Sequence, residues 1–146
     1  MKIAIGSDHR GLVLKQKVIK LVTDMGNEYK DFGAYSEASV DYPNIAEAVG
    51  KAVAEGKYNR GILICGTGIG MCIAANKVKG IRAGLAVNEF MAIRSRQHNN
   101  ANVLCLGAEN DESQLAQMVK AFLTTEFEGG RHQKRVDEMT KMDSER

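Results

Sequence analysis

The 146-residue sequence has a single proline, three cysteines and no apolar run near the roughly 20 residues that span a bilayer. No membrane-crossing element is expected. Cys65, Cys72 and Cys105 form no CxxC pair and lie in apolar segments, and the chain opens on a strand-like stretch without a cleavable leader. That usage fits reduced thiols in a cytoplasmic protein. Charge of one sign is lacking too: 20 basic residues face 18 acidic ones, scattered and not gathered in a stripe. A nucleic-acid footprint is therefore not expected. His9, His98 and His132 show no short helical spacing of the HExxH kind, so no metal is expected. The glycine-rich turn Gly66-Thr-Gly-Ile-Gly70 matches neither GxGxxG nor GxxxxGK[ST], which argues against a dinucleotide site and leaves no cofactor expected. There is no internal repeat, linker or low-complexity tract.

What is present is alternation. Apolar strand-like stretches at Lys2–Gly6, Glu28–Phe32, Ile62–Cys65, Arg82–Val87 and Asn102–Leu106 are separated by helical spacings at 12–25, 43–56, 69–78, 89–97 and 112–124. Pro43 suits the first turn of the second helix. This pattern predicts an α/β fold: one parallel sheet with helices on both faces, a three-layer sandwich in a single domain over 1–146. A charged tail from about 126 carries Val136, Met139 and Met142 at the spacing of a last helix.

Ligands of open parallel sheets bind beyond the carboxyl ends of the strands, so the loops after strands have priority. The most informative is Arg60 to Lys77, which reads as a buried strand, a turn of three glycines and a helix. Bare backbone N–H groups there, at a helix N-terminus, suit an anion. Cys65 stands at the mouth of the turn in the same positive field, which favours thiolate and makes it a candidate base or nucleophile. The competing reading, in which the glycines serve only tight strand-to-helix packing, leaves Cys65 and Thr67 unexplained. Cys72 and Cys105 lack that setting and read as core. Asp8-His9 after the first strand is either a turn pair or an acid/base pair. Arg131 and Arg135, four apart on one helix face, either grip a phosphate or form a solvated basic face balanced by Glu126 and Glu128.

Gly6-Ser-Asp-His9, Asp41-Tyr-Pro43, Ile64-Cys-Gly-Thr-Gly-Ile-Gly70, Ala74-Ala-Asn-Lys77, Gly80-Ile-Arg82, Arg96-Gln-His-Asn99 and Gly129-Gly-Arg-His132 with Arg135 occur in one order along nearly the whole chain. Together they closely resemble the ribose-5-phosphate isomerase B family, which also includes isomerases of allose 6-phosphate, galactose 6-phosphate and tetrulose phosphates. The resemblance implies a Rossmann-like five-stranded sheet and a homodimer, which can pair into a tetramer, with active sites built from both subunits and the C-terminal helix near the dimer interface. It implies metal-free exchange of an aldose phosphate and a ketose phosphate through a cis-enediolate, with ribose 5-phosphate and ribulose 5-phosphate the first-choice pair. By that analogy Cys65 moves the proton and Thr67 assists. The backbone of Gly66, Gly68, Ile69 and Gly70 holds the enediolate oxygens, where each preorganised donor is worth about 3 to 4 kcal/mol. His98 with Asp8 opens the sugar ring, Asn99 orients the sugar, Tyr42 lines its site, and His9, Arg131 and Arg135 hold the phosphate.

Three positions depart from the family pattern. Glu109, in Gly107-Ala-Glu-Asn110, stands where many members carry arginine; Arg10, where many carry a small or apolar residue, is the candidate replacement for that charge; Asn100 stands where aspartate is common. These departures keep an isomerase of another phosphosugar open. A small-molecule binding module that uses the glycine loop without chemistry would have no need of a base beside it.

Overall fold

Five parallel strands lie side by side in the order β2-β1-β3-β5-β4. In the computed structural model, which describes residues 1–146, they are β1 (Lys2–Ser7), β2 (Glu28–Asp31), β3 (Arg60–Cys65), β4 (Ala83–Leu85) and β5 (Val103–Gly107). The helices are α1 (Leu12–Asp24), α2 (Tyr42–Ala54), α3 (Ile69–Asn76), α4 (Glu89–Gln97), α5 (Leu115–Thr124) and α6 (Arg131–Ser144). The α/β expectation holds, with five parallel strands and six helices.

The period of two along each strand sorts the core into two layers. Ile3, Ile5, Ile62, Ile64, Leu104 and Leu106 meet α1, α4 and α5 on one face. On the other, Ala4, Leu63, Cys65, Val103 and Cys105 meet α2 and α3. Each large side chain buried in this way contributes about 1.5–3 kcal/mol. β1, β3 and β5 are buried on both faces, which is why they read as continuous apolar runs.

Some boundaries move for local reasons. β4 shrinks to three residues because the Arg82 N–H turns to Asn102 Oδ1 at 2.8 Å and Val87 points out to solvent. α5 starts at Leu115, not Glu112, because Asp111 accepts from the Ser113 N–H at 2.9 Å and closes a turn first. α3 stops at Asn76, whose side chain bonds both the N–H and the carbonyl of Ala83 and so seats the helix on the edge strand.

Two buried cations act as fasteners. Lys15 is fully buried; its ammonium pairs with Asp31 at 2.8 Å, donates to the Ala34 carbonyl and lies 5.4 Å from the centre of the Tyr35 ring. It ties the β2–α2 loop to α1. Arg96, 6% exposed, donates to the Thr125 and Ala101 carbonyls and to Asn100 Oδ1, joining the ends of α4 and α5 to the start of β5. Asn100, at φ 47°, takes the left-handed turn that this arrangement needs.

α6 folds back along the amino end of the sheet, where Asp143 accepts from the Gly80 N–H at 2.8 Å. A cleft of about 430 Å³ lies beneath it, lined among others by Arg82, Ser95, Asn99 and Met139. No helix is long and apolar enough to cross a membrane.

Candidate active site

β2 lies on one side of β1 and β3 on the other, so the chain reverses its direction of winding between β1 and β3, and a crevice opens beyond their carboxyl ends. Asp8 follows β1 and Cys65 closes β3, and the Asp8 N–H donates to the Ile64 carbonyl at 3.1 Å. The two candidate residues are thereby neighbours.

Cys65 is buried, and its Sγ accepts the Gly68 N–H at 3.2 Å. That contact needs Gly68 at φ 83°, with Leu85 Cδ1 only 2.6 Å and the Leu106 carbonyl carbon 2.9 Å from where a Cβ would stand. Any side chain there would push the turn off the sheet. Thr67 is exposed, and its hydroxyl accepts the Ile69 N–H at 3.2 Å, tightening the entry to α3. The first turn of α3 presents N–H groups without helical partners, those of Ile69 and Gly70 among them. Tyr42 lies across Gly70, its ring 2.7 Å from the position a Cβ would occupy. Gly66 and Gly70 therefore serve as floor for other side chains, not merely as flexible links.

The segment after β5 is strapped to the glycine loop. Ala108 and Glu109 donate their N–H groups to the carbonyls of Cys65 and Gly66, both at 2.8 Å, and Asn110 Nδ2 reaches the Thr67 carbonyl at 3.4 Å. Asn110 carried no signal in the sequence; only the register of β5 against β3, which pairs Gly107 with Cys65, brings it here.

Asp8 commits one carboxylate oxygen to the turn reading: Oδ1 accepts the N–H groups of Arg10 and Gly11, each at 3.0 Å, and caps a short 3-10 turn at His9–Gly11. His9 Nδ1 accepts the Val40 N–H at 3.4 Å, so in the neutral ring Nε2 carries the proton.

The remaining candidates gather elsewhere. His98 and Asn99 end α4, and Arg131 and Arg135 stand exposed on α6, all at the amino end of the sheet. Cys65 lies four residues beyond Gly61, the partner of Val103, so about 13 Å of sheet separates the two ends. One chain does not bring His98 and Asp8 together. At the amino end His98 stacks on His132, and Glu128 Oε1 is 3.8 Å and 3.6 Å from their Nε2 atoms. Burial, with the charges of His98 and Arg131 adding to it, holds His132 below its ordinary 6.5. In the sequence Glu128 entered only as a balance for Arg131 and Arg135; its pairing with His132, four residues on, stayed hidden because Glu128 precedes the helix.

Donor atoms of His98, Glu128 and His132 lie within 4.8 Å of one another, close enough to consider a cation. Both Nε2 atoms face the same Glu128 oxygen, at 3.8 and 3.6 Å, the arrangement of a loose ion-pair cluster. Away from the glycine loop, the Cys105 thiol holds Cys72 down to about 7, while Cys105 itself is pushed up by that bond and by burial. Cleft size is no guide to the chemistry: the 430 Å³ cleft under α6 and another of about 350 Å³ beside the Gly33–Asp41 loop are both lined without Cys65.

Residues 3–139 match the family model described as Ribose/Galactose Isomerase. Ribose-5-phosphate isomerase B of Escherichia coli strain K12 is 46% identical over 146 residues, 99% of this chain and 98% of that one. The solved structure of Clostridium thermocellum ribose-5-phosphate isomerase B superposes with a TM-score of 0.96 at 45% identity, covering 99% of each chain. That of ribose-5-phosphate isomerase B from Mycoplasma genitalium with bound ribulose-5-phosphate gives 0.94 at 44% identity, covering 99% of this chain and 97% of that one.

Proposed function

The chain belongs to the ribose/galactose isomerase family and is an isomerase of phosphorylated sugars, and we propose that it interconverts ribose 5-phosphate and ribulose 5-phosphate through a cis-enediolate with Cys65 as the base. The observation that carries this reading is Cys65 Sγ held at 3.2 Å by the Gly68 N–H, at the carboxyl end of a central strand and beside a helix N-terminus. A base and a set of backbone donors then share one small region. The thiolate takes the proton from C2 of the open aldose and returns it to C1. The donors of the first α3 turn stabilise the oxygens on which negative charge develops.

Ring opening needs an acid/base pair, for which His98 and Asp8 are our assignment, with Asn99 orienting the hydroxyls and Tyr42 lining the sugar. Phosphate anchoring by His9, Arg131 and Arg135 fixes the remote end so that the reacting carbons meet Cys65. Because His98, Asn99, Arg131 and Arg135 stand about 13 Å of sheet away from Cys65 in their own chain, a second copy must supply them. A homodimer, possible as half of a tetramer, with α6 near its interface, meets that requirement.

The test follows ribose 5-phosphate by NMR with chelator-treated protein, beside a Cys65→Ala control. Conversion by the wild type and its loss in the variant support the reading. Absence of conversion by folded wild-type protein overturns the pentose assignment. A panel of tetrose and hexose phosphates then decides between the alternatives, since the family description names galactose beside ribose.

A further inference from the structure

We propose that Arg10 binds the substrate's phosphate at the carboxyl end of the sheet, and that Glu109 is a built-in competitor for that guanidinium which sets how tightly the anion is held. This deepens the phosphosugar reading and rests on it. Arg10 Nη1 and Glu109 Oε1 are 3.2 Å apart. Both side chains lie over Gly66: a Cβ built there would stand 3.3 Å from the Glu109 carboxyl carbon and 3.4 Å from Arg10 Cδ. The pair therefore spans the mouth of the glycine loop, one residue beyond Cys65.

Both partners are held at the backbone and free at the tip. Asp8 Oδ1 accepts the Arg10 N–H, and the Glu109 N–H is bound to the Gly66 carbonyl. Their side chains are 63% and 55% exposed, so the ion pair is screened and breaking it costs little. A guanidinium has five donors, and the pair engages Arg10 through one nitrogen. A phosphate dianion offers more charge and more acceptor oxygens than a carboxylate, and Arg presents a planar fork that matches it. Other nearby cations are committed: Lys15 is buried against Asp31, and Lys17 pairs with Glu112 at 2.7 Å. With His9 one residue before it, Arg10 is the cation poised for an anion at this mouth.

Glu109 has two effects. Before the anion arrives it keeps the guanidinium extended over the loop; once the anion arrives it competes for the same nitrogen and repels the newcomer.

The test measures inorganic phosphate binding by calorimetry at low salt for the wild type, Arg10→Met, which keeps an apolar stem over Gly66, and Glu109→Gln. We expect Arg10→Met to weaken phosphate on the order of tenfold and to raise KM for ribose 5-phosphate more than it lowers kcat. Glu109→Gln should tighten phosphate by about threefold. Unchanged affinity in Arg10→Met overturns the binding role. Equal weakening in both variants overturns the competitor role, because it marks the pair as a clamp. Calorimetry needs no turnover, so failure to convert ribose 5-phosphate would sink the sugar assignment and leave this test in force.

Discussion

The imidazole of His98 lies flat against that of His132, ring centres 4.1 Å apart and planes 13° from parallel, with one Glu128 oxygen within 4 Å of both Nε2 atoms. Burial and the neighbouring His98 oppose a positive charge on His132. Arg131 and Arg135 add to the opposition, and Glu128 alone offsets it.

A pH dependence follows. The folded chain holds His132 below its ordinary 6.5, so the unfolded chain binds the extra proton first. The contribution of His132 to stability is complete above 6.5 and is lost as pH falls through the lower, folded-state value. Urea midpoints between pH 8 and 5 should fall more steeply for the wild type than for His132→Gln. Parallel slopes would refute the assignment.

The proposed sharing of the site between two subunits predicts complementation. Cys65→Ala and His98→Asn should each lose about 10²–10⁴-fold in turnover. Mixed one to one under conditions that exchange subunits, they should recover about a quarter of wild-type activity, because half the dimers carry one intact site. No recovery in a verified hybrid would mean that each site is built from one chain.

Gly68→Ala should cost about 1–3 kcal/mol in stability, since φ 83° and a Cβ 2.6 Å from Leu85 both oppose it. It should also lower kcat by moving the N–H off Cys65 Sγ. Gly26→Ala, also at positive φ (85°) but with nothing near its Cβ, shares the backbone strain without the contact. The difference between the two in thermal melting and turnover measures what packing at the loop adds.

Arg96→Met should destabilise by about 2–4 kcal/mol, because carbonyls of Thr125 and Ala101 and the Asn100 amide lose a charged donor in a nearly dry setting. Chemical denaturation checks it. A change below about 0.5 kcal/mol would show that water replaces the guanidinium.

Local signals carried much of this. Strands buried on both faces announce themselves by apolar runs, and Cys65 before three glycines marks a strand-to-helix turn without any knowledge of the fold. The start of α4 at Glu89 was legible because Asn88 caps the helix, accepting the Met91 N–H at 2.9 Å. What stayed hidden depends on register and distance in sequence. Asn110 meets Thr67, and Glu109 meets Arg10 across 99 positions, only because β5 lies beside β3. Asp8 read equally as turn or acid, and its cap became visible only with the 3-10 turn in place. That His98 and Asp8 occupy opposite ends follows from α4 running antiparallel to the strands, which no single motif encodes.

Lys15 offers an internal gauge of unfolding. Every other lysine of the chain is exposed, whereas Lys15 has no accessible surface. An amine-acylating reagent will therefore label the others at once and reach Lys15 only when the α1 layer lifts from the sheet. Its labelling rate, read by mass spectrometry of one peptide, reports the frequency of that opening.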